Sequence, residues 1–406
     1  MRILVINSGS SSIKFRLAEV VEEQGMVATR PALFEGSVKG IGGKASFDIR
    51  GRQSNPSTTK LDAKNHAQAM HVLVNRLGDS LHSIDAVGHR VVHGGDRYVE
   101  STLITDQVEA GIDALSELAP LHNPACLAGI RGAKAVLGST VPMVAVFDTA
   151  FHRTMPDVAR HYAIQKDLAD RHHIRRYGFH GIAHASLAHG YALCTGTSLK
   201  RTRLITVQLG NGCSIAAIAE GKSLETSMGF TPLEGLVMGT RSGDVDASLV
   251  AFLAVREKVE PAEVERWLNE RSGLLGLSGR SNDMRELLHA AEQEQDERAG
   301  FAIDVFCYRV RKYIGGYLAV LGGADAIVFG GGIGENAPEI RERICSGMEW
   351  SGISLEADRN RAAVGLKAGS AAKISTERAT PAVYVVAADE ETWIAKETAR
   401  CMRATT

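Results

Sequence analysis

Residues 2–17 read RILVINSGSSSIKFRL: an apolar run, a serine-rich turn, and a second run in which apolar and polar residues alternate. The first run, residues 2–6, is rich in β-branched side chains, which favours a strand. In the second run Ile13, Phe15 and Leu17 recur at every other position, a period typical of a half-buried strand. The segment therefore predicts an antiparallel hairpin with small polar residues at its tip.

A similar unit recurs about 200 residues further along the chain. Residues 204–207 form another apolar run, Gly210-Asn211-Gly212 another turn, and residues 213–219 another strand. The two turns differ by about one residue in length. The pattern indicates an internal duplication of a domain, although strand-turn-strand units are common enough to recur by chance.

The composition is that of an ordinary globular protein, with 406 residues, of which 44% are apolar and 23% charged. At roughly 100–200 residues per domain, an α/β chain of this length is expected to form two domains. The net charge of −1 argues against sequence-independent nucleic-acid binding, which needs a surplus of cations. It leaves room for a local cationic pocket that binds a small anion.

Neither a membrane span nor a secretory signal is predicted. No apolar run approaches the ~18–20 residues of a spanning helix, and the N-terminal run turns polar at Asn7. The six cysteines are scattered without a Cys-x-x-Cys pair, so neither a disulfide framework nor a zinc site is expected. We therefore expect a cytoplasmic protein without nucleic-acid or membrane partners.

Predicted strands and helices alternate through the rest of the chain. Strands are predicted at residues 86–88, 142–147, 326–329 and 382–386, and helices at residues 261–269, 284–289, 299–320 and 392–402. This alternation indicates an α/β fold, in which ligands bind beyond the carboxyl ends of strands. The polar or glycine residues at predicted strand exits are Asn7, Arg90, Asp148, Asn211, Gly331 and Glu390.

Two loops suit phosphate groups. The turn at residues 8–12 offers backbone amides and hydroxyls, and Lys14 follows it, but the spacing is not that of a Walker A loop. Residues 330–336 begin with three glycines after a β-branched strand, so we expect a loop that admits a nucleotide, without the Rossmann spacing. A plain hairpin turn and a tight strand-to-helix crossover are the alternatives.

Three cationic or potentially cationic side chains stand beside glycines: Arg90, Arg241 and His180. The planar guanidinium of arginine suits carboxylate and phosphate oxygens. We expect these residues to share one anion site, although a structural salt bridge explains either arginine alone. His122 also lies in a loop-like context, where a structural role is the alternative.

Two carboxylates complete the candidates. Asp148 follows a buried strand and needs a metal, an arginine or a proton as partner. Glu390 stands at the last strand exit, where favourable charge at a helix N-terminus is the alternative to metal binding. Both suit Mg²⁺, which takes few protein carboxylates and keeps water and phosphate oxygens.

Six motifs carry a resemblance to a known family: residues 7–14, 88–95, 147–152, 176–181, 226–244 and 331–336. On these motifs, and over nearly its whole length, the chain resembles the acetate/butyrate kinase family, within the superfamily of actin, sugar kinases and 70-kDa heat-shock chaperones. The resemblance implies two duplicated ribonuclease-H-like (actin-like ATPase) domains, residues 1–148 with 386–406 and residues 149–385. It also implies a nucleotide cleft between them and a homodimer.

The activity implied by the resemblance is reversible, Mg²⁺-dependent phosphoryl transfer from ATP to acetate, giving ADP and acetyl phosphate, with Mn²⁺ as an alternative metal. The implied catalytic residues are Asp148, His180 and Arg241, and the implied metal-binding residues are Asn7 and Glu390. The implied substrate-binding residues are Arg90, Val92, Leu121, His122, Phe179 and Pro232. The implied nucleotide-binding residues are Lys14, Gln208, Leu209, Gly210, Asn211, Gly212, Asp283, Met284, Arg285, Gly331, Gly332, Ile333, Gly334 and Glu335.

Asp148 is expected to orient Mg²⁺ through water or to hold an arginine, rather than to act as a base. A carboxylic acid with a pKa near ~4 is already ionised at neutral pH, so the nucleophile has no proton to remove. Val92 leaves less room than alanine would, which predicts a preference for acetate over propionate. Gln208, Ala183 and Thr392 depart from the family's usual histidine, serine and aliphatic residue. Gln208 can donate a hydrogen bond to a phosphate but cannot become cationic, so this departure bears on nucleotide affinity and preference.

Three alternative functions remain open. A propionate or other short-chain acyl kinase would use the same chemistry. An actin-like ATPase acting on a protein partner would turn over ATP without a carboxylic acid and would not need Arg90. A sugar kinase would need a base for its hydroxyl nucleophile, and Asp148 could serve as that base.

Overall fold

The computed structural model describes residues 1–9, 11–23, 26–51, 57–81, 83–120, 122–138 and 140–405. The chain divides into two compact units: unit 1 is Met1–Phe151 with Glu390–Thr406, and unit 2 is His152–Asp389. Among the described residues, no helix has the length and apolar character that crossing a membrane requires.

Unit 1 combines a mixed sheet with four α-helices among its described residues. Its strands are β1 (Arg2–Ser8), β2 (Ser12–Glu23), β3 (Met26–Thr29), β4 (Phe34–Lys39), β5 (Ala45–Gly51), β6 (Ser57–Leu61), β7 (Ala86–Val91), β8 (Thr102–Leu103) and β9 (Met143–Phe147). Its helices are α1 (His66–Leu77), α2 (Asp106–Ala114), α3 (Asn123–Leu137) and α15 (Glu390–Thr405).

The sheet of unit 1 is built on the predicted hairpin. The strands follow the order β6-β5-β4-β2-β1-β7-β9-β8, with β3 paired to β2. β1 and β2 are antiparallel, with Asn7 opposite Lys14, whereas β7 and β9 run parallel to β1. The carboxyl ends of β1, β7 and β9 therefore meet at one edge of the sheet.

Both faces of β1 are covered, because six consecutive residues from Ile3 to Ser8 are buried. Leu4 and Ile6 join a core cluster with Met70 and Leu73 of α1. Successive side chains of a strand alternate between faces, and α15 also contacts β1. This burial explains why β1 reads as a continuous apolar run, which is typical of a central strand.

Unit 2 is also mixed α/β. Its strands are β10 (Arg203–Leu209), β11 (Cys213–Ala219), β12 (Lys222–Thr226), β13 (Ala326–Gly330), β14 (Ala371–Lys373) and β15 (Ala382–Val386). Its helices are α4 (Asp157–Arg160), α5 (Lys166–Arg171), α6 (Gly181–Thr195), α7 (Ser248–Glu257), α8 (Pro261–Glu270), α9 (Gly273–Ser278), α10 (Met284–Gln293), α11 (Glu297–Leu321), α12 (Gly331–Asn336), α13 (Pro338–Cys345) and α14 (Ala357–Ala362).

The sheet of unit 2 repeats the central topology of unit 1. Its order is β12-β11-β10-β13-β15-β14, with β10 and β11 antiparallel and with β13 and β15 parallel to β10. In unit 1 the corresponding order is β4-β2-β1-β7-β9. The shared order of two antiparallel hairpin strands followed by two parallel strands agrees with the duplication that the sequence indicates.

Two local expectations were wrong. Residues 331–336 form the short helix α12 rather than a loop, directly after β13. Gly331 makes the turn with φ +77, a conformation that glycine adopts without strain, and its N–H donates to the Glu335 carboxylate at 2.9 Å. Asn7 and Arg90 lie inside their strands rather than beyond the ends, because β1 continues to Ser8 and β7 to Val91.

Candidate functional site

The carboxyl edge of the unit 1 sheet gathers three of the predicted site residues: Asn7, Arg90 and Asp148. Arg90 donates through Nε and Nη2 to Asp148 Oδ2, at 3.0 and 2.6 Å. Its Nη1 donates to Asn7 Oδ1 at 3.2 Å. The contacts arise because β1, β7 and β9 are parallel neighbours, so residues near their ends share one edge.

The charge of Arg90 is fixed by this environment. Burial disfavours the charged guanidinium, but the negative charges of Asp148 and Glu390 outweigh it and raise the pKa of Arg90 above its ordinary value. Both donors that reach Asp148 use Oδ2, and Oδ1 is buried without a hydrogen-bond partner among the described residues. Asp148 therefore holds the arginine with one oxygen and keeps an acceptor for another partner.

Glu390 begins α15 at the same edge of unit 1. Burial raises the pKa of its carboxyl, and the cations Arg90 and Lys14 act in the opposite direction. Across the described part of the chain, no three His, Cys, Asp or Glu side chains gather as a ready-made metal site. Asn7, Asp148 and Glu390 nevertheless carry oxygen atoms of the kind that Mg²⁺ prefers, and Asp148 Oδ1, without a hydrogen-bond partner among the described residues, fits a ligand.

The segment after β7 is tied to the start of α3. The His93 N–H donates to Asn123 Oδ1 at 3.1 Å, and Asn123 Nδ2 donates back to the His93 carbonyl at 3.2 Å. His122 precedes α3 and is partly exposed, while Val92 is buried. Leu121, the remaining predicted substrate residue of unit 1, lies outside the described residues.

Unit 2 places His180 at the beginning of α6 in the left-handed conformation, with φ 56 and ψ 24. His152 supports this turn, because its Nε2 donates to the Phe179 carbonyl at 3.0 Å. A Cβ atom added at Gly212 would lie 3.3 Å from His180 Cε1, 3.4 Å from its Nε2 and 3.8 Å from Arg241 Nη1. The structure thus brings His180 and Arg241 together beside the second hairpin turn.

Arg241 is held by the long glycine-rich segment between β12 and α7. Its Nη1 donates to the Pro232 carbonyl at 3.2 Å, and burial lowers its pKa. Arg176 secures the same segment, since Nη1 donates to three successive carbonyls at residues 226–228 and Nη2 pairs with Glu234 at 2.6 Å. Arg176 is therefore structural, whereas Arg241 has its carbonyl contact and no paired carboxylate among the described residues.

Comparison with known proteins over nearly the whole sequence shows the family to which the chain belongs. A model of the Acetokinase family matches residues 2–396. The chain belongs to this family. An acetate kinase of Solibacter usitatus is 46% identical over 411 residues, which cover 99% of this chain and 98% of that protein.

Solved structures of members of this family have the same fold as the chain. The crystal structure of the Porphyromonas gingivalis acetate kinase has a TM-score of 0.87 and 39% identity, covering 99% of each chain. That of a propionate kinase from Francisella tularensis has a TM-score of 0.88 and 38% identity, covering 98% of this chain and 99% of the other. The two-domain mixed α/β fold of the chain is therefore the fold of the acetokinase family.

Apart from Lys14, which lies on β2 of unit 1, the nucleotide residues expected from the family resemblance form two groups in unit 2. The first is the end of β10 with its turn, where Gln208 Oε1 is buried without a hydrogen-bond partner among the described residues. Next to it, Gly331 approaches so closely that an added Cβ would lie 2.5 Å from the Leu209 carbonyl and 2.9 Å from Gln208 Nε2. Residues 208–212 and α12 are therefore adjacent. These two segments contain the expected nucleotide residues Gly210, Asn211, Gly332, Ile333 and Gly334.

The second group is the start of α10. Asp283 is its N-cap and accepts from the Arg285 N–H at 2.9 Å. The Arg285 guanidinium donates to the same carboxylate and, with the N–H, lowers the pKa of Asp283 to about 2. Arg285 is almost fully exposed and Met284 is buried. The Asp283 carboxylate therefore caps α10 and is paired with the Arg285 guanidinium.

The apolar residues of the expected substrate pocket differ in exposure. Val92 in unit 1 is 6% exposed, and Phe179 in unit 2 is 1% exposed. Pro232 is partly exposed, and its carbonyl holds Arg241. Phe179 is thus buried within unit 2, and its backbone carbonyl accepts a hydrogen bond from His152 Nε2.

Two features of the acetokinase chain escaped the sequence-based prediction. Ser214, His184 and Thr206 form a buried hydrogen-bonded chain behind His180. The spacing of His180 and His184, four residues apart on one helix, is the only signal that the sequence offers for it. Arg341 is fully buried and donates to carbonyls of residues 334, 335, 360 and 363.

Proposed function

We propose that this chain is an acetate kinase, which transfers the terminal phosphoryl group of ATP to a carboxylate oxygen of acetate and gives ADP and acetyl phosphate reversibly. The observation that carries the proposal is the ion pair of Arg90 with the buried Asp148 at the carboxyl edge of unit 1. An enzyme that joins two anions needs a fixed cation for the carboxylate. Membership of the acetokinase family gives the reaction its chemical class.

Arg90 is the proposed anchor for acetate. Two of its nitrogens are engaged by Asp148, which fixes the plane of the guanidinium, and Asn7 fixes its third nitrogen. The fork is thus oriented before substrate binds, so less freedom is lost on binding. The carboxylate of acetate is already ionised at neutral pH, so its attack on phosphorus requires no general base.

His180 and Arg241 are the proposed phosphoryl contacts of unit 2. Both lie beside Gly212, whose missing side chain leaves room near the imidazole and the guanidinium. A guanidinium that stabilises the charge of a transferring phosphoryl group contributes about 10³–10⁵ in rate. Lys14 on β2 is the proposed additional phosphate contact of unit 1, and residues 208–212, 283–285 and 331–335 are the proposed nucleotide contacts.

Metal binding is assigned to oxygen donors. Asn7, Asp148 and Glu390 would hold Mg²⁺ or Mn²⁺, which supplies charge neutralisation on the phosphate oxygens. Asp148 would bind the metal through Oδ1, since Oδ2 accepts from Arg90.

We assign the two domains to residues 1–148 with 386–406 and residues 149–385.

A cytoplasmic homodimer completes the proposal. Helix α7 presents Leu249, Phe252 and Val255 with exposed fractions of 39%, 54% and 77%. Their spacing of three residues puts them on one side of the helix, and an apolar stripe of this kind suits a protein interface. Size measurement by light scattering tests the dimer, and a monomer at micromolar concentration would contradict it.

Propionate kinase activity is the second candidate, because one family member of known structure carries that name. The deciding assay traps acyl phosphate as hydroxamate, with ATP and Mg²⁺ and with acetate, propionate or butyrate as acceptor. We expect the strongest signal with acetate; the strongest signal with propionate would select the second candidate. ATP hydrolysis without any acid, or phosphorylation of glucose alone, would refute both.

A matched pair of arginine variants sharpens the assay. Arg90→Gln should lose most of the hydroxamate signal, because its guanidinium is the proposed carboxylate anchor. Arg2→Gln removes another arginine of the same sheet, at the opposite end of β1, where Arg2 contacts Glu19 and Ser83 on the surface. It should retain the signal of the wild-type chain.

A further inference from the structure

Behind His180, three buried side chains from three elements form one hydrogen-bonded chain. His180 Nδ1 lies 2.9 Å from Ser214 Oγ of β11. Ser214 Oγ lies 2.8 Å from Nε2 of His184, one turn along α6. His184 Nδ1 in turn lies 2.8 Å from Thr206 Oγ1 of β10. Ser214, His184 and Thr206 are fully buried.

His184 is neutral in this setting. Burial lowers the pKa of its imidazole well below the usual value, and the neighbouring His152 and His180 act in the same direction. A neutral imidazole carries one hydrogen, so one ring nitrogen donates and the other accepts. The chain can therefore be hydrogen-bonded in two directions, and each direction fixes the hydrogen positions on both histidines.

Thr206 selects between the two directions. Within the described part of the chain, His184 Nδ1 is the one hydrogen-bond partner of the Thr206 hydroxyl. A buried hydroxyl hydrogen without an acceptor is unfavourable, so Thr206 donates to His184 Nδ1. His184 then carries its hydrogen on Nε2 and donates it to Ser214.

The direction propagates to His180. Ser214 Oγ accepts from His184, and its own hydrogen has His180 Nδ1 as the remaining acceptor in the described structure. His180 Nδ1 therefore accepts and carries no hydrogen, which leaves the ring hydrogen on Nε2. In the reverse direction Nε2 of His180 would be an acceptor, and the Thr206 hydrogen would have no partner.

We propose that Thr206, His184 and Ser214 are positioning residues that hold His180 in the tautomer with its hydrogen on Nε2. This inference rests on the proposed function, in which His180 contacts the transferring phosphoryl group. Nε2 is the ring nitrogen nearer Gly212: it lies 3.4 Å from the position that a Cβ of Gly212 would take, and Arg241 Nη1 lies 3.8 Å from the same position. This relay of Thr206, His184 and Ser214 thus makes Nε2 of His180 an N–H donor for anionic oxygens. In the opposite tautomer Nε2 would carry a lone pair, which repels such oxygens.

Nitrogen NMR measures the tautomer directly and without turnover. Histidine labelled with ¹⁵N distinguishes protonated from unprotonated ring nitrogens, and spectra of His180→Asn and His184→Asn variants assign the two residues. In the wild-type chain at neutral pH, we expect hydrogen on Nε2 and an unprotonated Nδ1 in both rings. Hydrogen on Nδ1 of His180 would overturn the proposal, whatever the substrate of the enzyme.

Kinetics test whether the relay matters for transfer. Ser214→Ala should lower kcat about ten- to a hundredfold, because one transition-state donor loses its orientation, with the KM for ATP and for acetate within about twofold. Ser214→Thr, which keeps a hydroxyl, should recover most of kcat. A kcat for Ser214→Ala within twofold of wild type would overturn the proposal.

Thr202→Val is the matched control for Thr206→Val. Both threonines are buried near or in β10, but the Thr202 hydroxyl donates to the Ser198 carbonyl at 2.7 Å instead of to a histidine. Both variants should lose similar thermal stability, and only Thr206→Val should populate both His180 tautomers by NMR. A wild-type chain with no acyl-phosphate synthesis would refute the proposed function and leave the NMR result to decide the relay.

Discussion

Asp148→Asn separates a charge-holding role of this residue from a proton-transfer role. The substitution keeps the size of the side chain and one acceptor oxygen, but removes the negative charge that faces Arg90. The Asp148 side chain is 1% exposed and that of Arg90 21%, so water replaces the lost partner poorly. The consequence should therefore be larger than that for a surface ion pair.

The magnitude follows from two hydrogen bonds. Arg90 donates twice to Asp148 Oδ2. A hydrogen bond to a charged group contributes about 1.5–3 kcal/mol and one between neutral groups about 0.5–1.5 kcal/mol, so each bond should weaken by about 1 kcal/mol. The combined loss of about 2 kcal/mol corresponds to about a 30-fold fall in kcat/KM for acetate if the whole loss reaches the bound carboxylate.

Steady-state hydroxamate assays over a series of pH values measure this loss. Asp148→Asn should lower kcat/KM for acetate by about 30-fold, and the shape of the pH profile at neutral pH should match that of the wild-type enzyme. Asp85→Asn is the control, because Asp85 accepts from the Arg2 N–H at the opposite end of the same sheet. It should leave the kinetics unchanged.

Proton transfer by Asp148 has a different signature. The wild-type enzyme would then show a solvent isotope effect on kcat and an acid limb in its pH profile, and both would vanish in Asp148→Asn. Either observation would refute the charge-holding role. A loss far below tenfold would instead show that Arg90 keeps its orientation without the ion pair.

Three further substitutions test other parts of the molecule. Burial lowers the pKa of His89 from 6.5 to about 3. Between these two values the unfolded chain binds a proton that the folded chain does not bind. The free energy of unfolding should therefore fall as the pH drops below 6.5, by about 2 kcal/mol at pH 5. His89→Leu should flatten this loss in urea titrations at pH 7 and pH 5, and an equal loss in both proteins would contradict it. Val92→Ala should narrow the preference for acetate over propionate, since one methylene discriminates by about 1–3 kcal/mol; an unchanged ratio of kcat/KM would remove Val92 from the pocket. Gly331→Ala should lower the free energy of unfolding by about 1–3 kcal/mol, because the new Cβ would meet the Leu209 carbonyl at 2.5 Å at a positive φ; an unchanged urea midpoint would contradict this.

The strands that build the site could be predicted because each is short, apolar and bounded by glycine or polar residues. The hairpin at residues 2–17 and its later counterpart are both present, with turns that differ by one residue between Ser8–Ile13 and Leu209–Cys213. Periodicity also found helices α8, α10 and α11, although α11 extends to Glu297–Leu321. Local pattern is sufficient where an element is defined by its own sequence.

Local pattern fails where a contact joins distant segments. The glycines at residues 330–332 suggested a loop, but Glu335 reaches back to the Gly331 N–H and closes a helical turn. The partner of Asp148 was open between metal, arginine and proton until the neighbouring strand supplied Arg90. Ser214 and Thr206 carry no motif of their own, since their importance depends on the two histidines that fold against them.

Arg341 has a consequence for how helix α12 unfolds. Helix α12 has six residues, too few to persist alone in water, and the buried guanidinium ties its last carbonyls to residues 360 and 363 at the end of α14. The hydrogen-bond partners of the Arg341 guanidinium are all carbonyl or amide oxygens. Unwinding α12 would therefore leave this buried cation without part of its hydrogen bonds. In hydrogen exchange, the amides of α12 should open together with α13 and α14 as one cooperative unit.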